Sequence, residues 1–140
     1  EPVVIADLGH QTAPLRELIV NEGLAVQASR LVSPGHAAWE YFGYARREFS
    51  QARDLATVAH RAIAADLDRA GLGLRLKYLS GGMSATARTV DRVVLPERIG
   101  YLVGAQLVEA AVREHGIGWA LRASAEELLA VGTASAAQIA

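Results

Sequence analysis

Residues 96–116, PERIGYLVGAQLVEAAVREHG, decide how this chain folds. Pro96 stands at the start, and Gly116 follows His115 at the end, as expected of a helix and its stop. Between them Gln106, Glu109 and Arg113 form the only polar stripe. A helix with so narrow a polar face must be covered by protein on its other sides, so the stretch predicts a long, central and most deeply buried helix. Its apolar run, Ile99 to Val112, is interrupted by two polar residues and is too short to span a bilayer.

On the N-terminal side the pattern continues to be helical. A first long helix is expected to open at Thr12-Ala13-Pro14, with Thr12 as cap and Pro14 in the first turn, and to end near Leu31, before Ser33-Pro34-Gly35. The aromatic segment Trp39-Glu40-Tyr41-Phe42-Gly43-Tyr44 predicts one or two turns that pack as a cluster. A second long helix is expected from about Arg46 to Ala70, with Ala52, Ala56, Ala59, Ile63, Leu67 and Ala70 at the spacing of one buried face. The helical pattern then fails. Leu72, Leu74 and Leu76 alternate with Gly73 and Arg75, Ser80-Gly81-Gly82 interrupts, and Thr89 to Leu95 is rich in β-branched residues, so an irregular or short-strand segment is expected around 72–95. Ser124 with Glu127 three residues on announces a last, short helix through a capping box. The fold class is therefore mostly α: a compact bundle of three long helices plus short ones, in a single domain over 1–132 with a frayed tail at 133–140.

Composition narrows the function. The 140 residues are 51% hydrophobic and 21% charged, which excludes disorder as a description of the whole chain. A formal net charge of −1 makes no electrostatic case for nucleic acid or a membrane surface. Without cysteine there is no thiolate zinc site and no cysteine nucleophile.

One residue breaks the pattern. Glu22 lies four residues after Leu18, three after Ile19 and four before Val26, inside the apolar stripe of the first helix. Burying an ionised carboxylate costs several kcal/mol unless it is paired or bound to a cation. Either an arginine or a metal is expected to meet it. Gly23, directly after it, leaves room for another backbone or a ligand to approach closely.

Asn21-Glu22-Gly23-Leu24-Ala25 resembles the N/S-E-G-L-A helix of gluzincin-type zinc metallopeptidases. Pro96-Glu97-Arg98-Ile99-Gly100-Tyr101-Leu102-Val103-Gly104 is similar to the P-x-R-x-G-Y-x-x-G helix start of predicted zinc-dependent proteases of the same type. The resemblance covers roughly residues 13 to 116. It implies Glu22 as the third zinc ligand, with two histidines of an H-E-x-x-H motif as the others and that motif's glutamate polarising the zinc-bound water. It implies Zn2+ in the complete protein and a peptide or protein substrate. Within that reading Arg98 and Tyr101, three apart, are expected to steady the carbonyl oxygen of a tetrahedral intermediate, grip a substrate carboxylate or support the metal ligand. The alternative is that Arg98 neutralises Glu22 while Tyr101 is interfacial core.

The chain departs from this pattern in its histidines. They are His10, His36, His60 and His115, with no pair at i, i+4 and no H-E-x-x-H. Ala6-Asp7-Leu8-Gly9-His10 aligns with the motif only if alanine replaces the first histidine and aspartate the glutamate, so His10 is a metal ligand only in a degenerate site. Either the motif precedes Glu1, as a start without methionine suggests, or the chain is a non-catalytic relative. The first reading makes it the C-terminal helical part of a peptidase, inactive alone. The second makes it a helical scaffold with a packing partner over the face that carries Glu22. No signal peptide is present in these residues, and the compartment stays open. His115 is expected to cap a helix end, and His60 and His36 to lie at the surface or in a turn.

Overall fold

A computed structural model describes residues 13–139, with no side-chain description beyond 134. Helix α1 spans Leu15–Val32. Its cap is Pro14 in extended conformation, where no N–H is needed. Thr12, the expected cap, lies outside the described residues. The first N–H groups of α1 are met instead from a distant segment. Leu15 N donates to Arg69 O at 2.8 Å and Arg16 N to Leu67 O at 3.0 Å. Residues 67–70 thus supply carbonyl acceptors to donors that α1 cannot satisfy internally.

The short helix α2, Ala38–Tyr41, carries the aromatic segment, whose Phe42 and Tyr44 are buried. The second long helix of the sequence reading is realised as two, α3 (Arg46–Asp54) and α4 (Ala56–Asp66). Leu55 between them departs from helical geometry with ψ near 4°. Ala52, Ala59 and Ile63 are buried as expected, while Ala70 is exposed because the helix has ended and the chain is turning back towards α1.

Leu72–Leu79, expected as strand or irregular chain, is helix α5. Alternating leucines read as a strand, but Leu72, Leu76 and Leu79 also stand at i, i+4 and i+7, the face of a helix. Helix formation carries Tyr78 into the core, wholly buried, with its hydroxyl donating to Asp66 Oδ2 at 2.7 Å. A 3₁₀ turn, Thr86–Arg88, leads into the strands β1 (Thr89–Val90) and β2 (Val93–Val94), paired antiparallel with Thr89 opposite Val94. Both turn residues between the strands, Asp91 and Arg92, have positive φ, as a two-residue hairpin requires.

Helix α6, Ile99–His115, is the central element. Helices α7 (Ile117–Arg122) and α8 (Ala125–Ile139) follow. Ser124 Oγ accepts from Glu127 N at 3.1 Å while Glu127 Oε1 accepts from Ser124 N at 3.4 Å, so the capping box forms. Helix α8 continues past Gly132, where fraying was expected.

Two apolar clusters share α1 and α6. One joins them to α3, α4 and α5, through Ile19, Ala59, Ile63, Tyr78 and Val103 among others. The second joins them to α7 and α8, through Leu24, Val108, Ala120 and Leu128. Between the clusters the two helices meet backbone to backbone. A Cβ on Gly23 would stand 2.2 Å from the Gly104 carbonyl, and one on Gly104 would stand 2.3 Å from Ile19 O. Neither helix can carry a side chain at that crossing. Beside it, the buried Gln27 donates to Ala105 O at 2.9 Å, tying the helices through a satisfied polar side chain.

Candidate functional site

The crossing determines where Glu22 sits. The buried face of α1 is Leu15, Ile19, Gly23, Val26 and Gln27, flanked by Val20 and Leu24. It is centred on Gly23, about a quarter-turn from the stripe read in the sequence, and Leu18 and Ala25 fall at or beyond its edge. Glu22 is therefore half-buried at the margin rather than sealed in the core. There it opens into a cavity of about 370 Å³ with Asn21, Leu72, Arg75, Ser80 and Tyr101.

Tyr101 and Arg75 share this cavity with the carboxylate. The Tyr101 phenol's pKa is pushed above tyrosine's ordinary value. Burial is the largest cause, followed by the nearby Glu22 carboxylate; the charges of Arg98 and Arg75 oppose the shift. Helix α6 places the phenol one turn before Gly104, so the contact that locks α1 onto α6 also aligns Tyr101 with Glu22.

Arg98 takes a different position from the one its spacing suggests. It has φ +61° and is the cap residue, outside the helical phase that would set it on Tyr101's face. Its guanidinium donates to Gly43 O at 3.1 Å and Phe42 O at 3.5 Å, and lies 5.2 Å from the Tyr44 ring centre. These partners hold the aromatic segment against the start of α6. The charge still reaches Tyr101, but the guanidinium's bonds go to the 42–43 carbonyls rather than to Glu22.

Arg75 and Ser80 are site residues that the sequence reading missed, because their segment was read as strand or loop. The available signal was the Leu72, Leu76, Leu79 spacing, which sets Arg75 on the same helix. Of the histidines, His60 shares a 2.7 Å hydrogen bond with Gln106, His36 contacts Ser33 and Glu40, and His115 packs 4.2 Å from the Trp119 ring. None of these three lines the Glu22 cavity. His10 lies outside the described residues.

Zinc in a protein site takes at least three His, Cys, Asp or Glu ligands. Among the described residues no three such side chains converge. Around Glu22 they provide one carboxylate and a phenol, which by themselves do not make a zinc centre. No described helix is long and apolar enough to cross a membrane.

Residues 5–130 match the family described as "Predicted Zn-dependent protease (DUF2268)". No curated protein and no solved structure matches the chain. With nearly all of its length matched, the chain belongs to that family.

Proposed function

We propose, from a chain that belongs to a family of predicted zinc-dependent proteases, that it is the C-terminal helical part of a gluzincin-like peptidase and that Glu22 is its third zinc ligand. The remaining ligands then come from outside residues 13–139. The observation that carries this reading is the placement of Glu22: its carboxylate faces an open cavity, while the glycine after it is locked against the backbone of α6. A ligand needs such a fixed origin, because metal sites depend on positions held to a fraction of an ångström. Tyr101, in the same cavity, is the neighbour placed to orient the carboxylate, as hydrogen-bonded neighbours orient metal ligands. Arg98 acts one step further out, holding the 42–44 segment that borders the start of α6. In this role both residues position the ligand, and Tyr101 is also within reach of a substrate bound in the cavity.

The test is zinc content and affinity of the complete protein. Losing a residue that only supports a ligand costs about 10–100-fold in metal affinity. Glu22→Gln is expected to lose more than about 100-fold, and Tyr101→Phe to stay within the supporting range. Unchanged zinc affinity in Glu22→Gln overturns the assignment.

The half-buried position of Glu22 also favours a second reading, a non-catalytic scaffold. A carboxylate at the margin, in a cavity shared with a phenol and the Arg75 cation, needs no metal to offset its burial. On that reading the complete protein carries no zinc, and Glu22 with Tyr101 marks a face on which a partner packs.

A further inference from the structure

A larger cavity, of about 650 Å³, lies on another part of the molecule, between α3 and the segment that joins β2 to α6. One wall is the face of α3 and its end, with Glu48, Asp54 and Leu55; the other is Val94 to Glu97. Leu95 is wholly buried beneath it, and Val94 is 45% exposed at its mouth. The volume falls in the range of pockets that hold a side chain or a small ligand.

Its charge is one-sided. Glu48, Asp54 and Glu97 face it, against a single cation, Arg88. That guanidinium is turned into the protein: Nη1 donates to Leu95 O at 2.7 Å and Nε to Met83 O at 3.2 Å, and Nη2 is 3.9 Å from Glu97 Oε1. Tyr44, the remaining ionisable group, is buried and donates to Glu97 O at 2.6 Å. Glu48 Oε1 accepts from Ala45 N and Glu97 Oε1 from Gly82 N, each leaving its second carboxylate oxygen beyond those bonds. The cavity therefore presents an apolar wall with three carboxylates around it, of which Glu97 lies beside the inward-turned Arg88 while Glu48 and Asp54 face the space without a lining cation beside them.

We propose that this cleft binds a peptide through a lysine or arginine side chain. The aliphatic stem of such a side chain covers apolar surface while its charged end stays with the carboxylates. An acidic ligand meets like charge here, and a purely apolar one strips water from carboxylates without replacing it. The inference stands on the cleft alone and does not depend on zinc at Glu22.

Titration of the full chain with the peptide acetyl-Ala-Leu-Lys-Leu-Ala-amide, followed by amide and methyl NMR shifts, tests it. Saturable shifts are expected at Tyr44, Gln51, Leu55 and Val94, and binding should weaken as salt is raised. Replacing lysine by norleucine or glutamate should abolish those shifts. Asp54→Asn, at an exposed position, should weaken binding about three- to fivefold, the scale of one partly exposed ion pair. Equal binding of the norleucine peptide, shifts confined to another surface, or no saturable binding at millimolar peptide overturns the proposal. So does n-butylamine binding as tightly as the peptide, since the amine alone would then account for recognition.

Discussion

At the scale of single residues, the juxtaposition of Glu22 and Tyr101 in one cavity is the chemistry on which the molecule's reading turns. The helical spacing put Glu22 inside the apolar stripe, where something had to meet it; the buried face is instead centred on Gly23 and leaves the carboxylate at its margin. The partner was not legible, because a residue 79 positions away on another helix is brought there only by the crossing. Tyr101→Phe removes a hydroxyl from beside a half-buried carboxylate and is expected to cost no more than about 1 kcal/mol, read by urea unfolding at neutral pH. Glu22→Gln removes a negative charge that holds the phenol neutral. The Tyr101 titration, followed by its ring carbon shifts, should therefore fall back towards tyrosine's ordinary value. The return is partial, because burial is the largest cause and remains. An unmoved titration would show that Glu22 does not act on the phenol.

At the scale of elements, the α1–α6 crossing is the joint that everything else depends on. Each glycine could be seen in the sequence, but a glycine in a helix has several possible reasons, and only the paired backbones show that these two face each other. Gly104→Ala must force α1 away from α6 and is expected to destabilise by about 2–3 kcal/mol in denaturant unfolding. Gly73→Ala is the matched control. It lies in α5 with nothing within 4 Å of the added methyl, so it should stabilise by about 0.5–1 kcal/mol through helix propensity. If both substitutions destabilise alike, steric exclusion at the crossing is not the cause. The same element scale explains the misread of Leu72–Leu79. Its leucines satisfy a period of two and a helical spacing equally, and burial of Tyr78 against α6 with its bond to Asp66 selects the helix.

At the scale of the whole molecule, three phenols couple the fold to alkaline pH. Tyr44 is pushed up to about 12, by burial above all, and Tyr78 and Tyr101 are also raised, again with burial first. An unfolded chain ionises its tyrosines near pH 10. Above that pH the unfolded state has lost protons that the folded state retains, so stability must fall as pH rises. The contribution is fully present below pH 10 and is lost towards each folded value; for Tyr44 alone the loss amounts to about 2–3 kcal/mol by pH 12. Unfolding free energies at pH 9, 10 and 11 should decline progressively, and Tyr44→Phe should flatten the slope. A level profile from pH 9 to 11 would mean that these phenols are not held neutral by the fold.

The sequence by itself determined the helical class, the limits of the central helix and the capping box before α8. All of these are local: they depend on periodicity, caps and side-chain polarity within one or two turns. The tertiary structure decided the rest. It placed Glu22 at the edge of the buried face, gave it Tyr101, sent Arg98 to the 42–43 carbonyls, and assembled the second cleft from α3 and the segment before α6. Those outcomes depend on which backbones can touch. Here two glycines 81 residues apart allow a contact that any side chain would forbid.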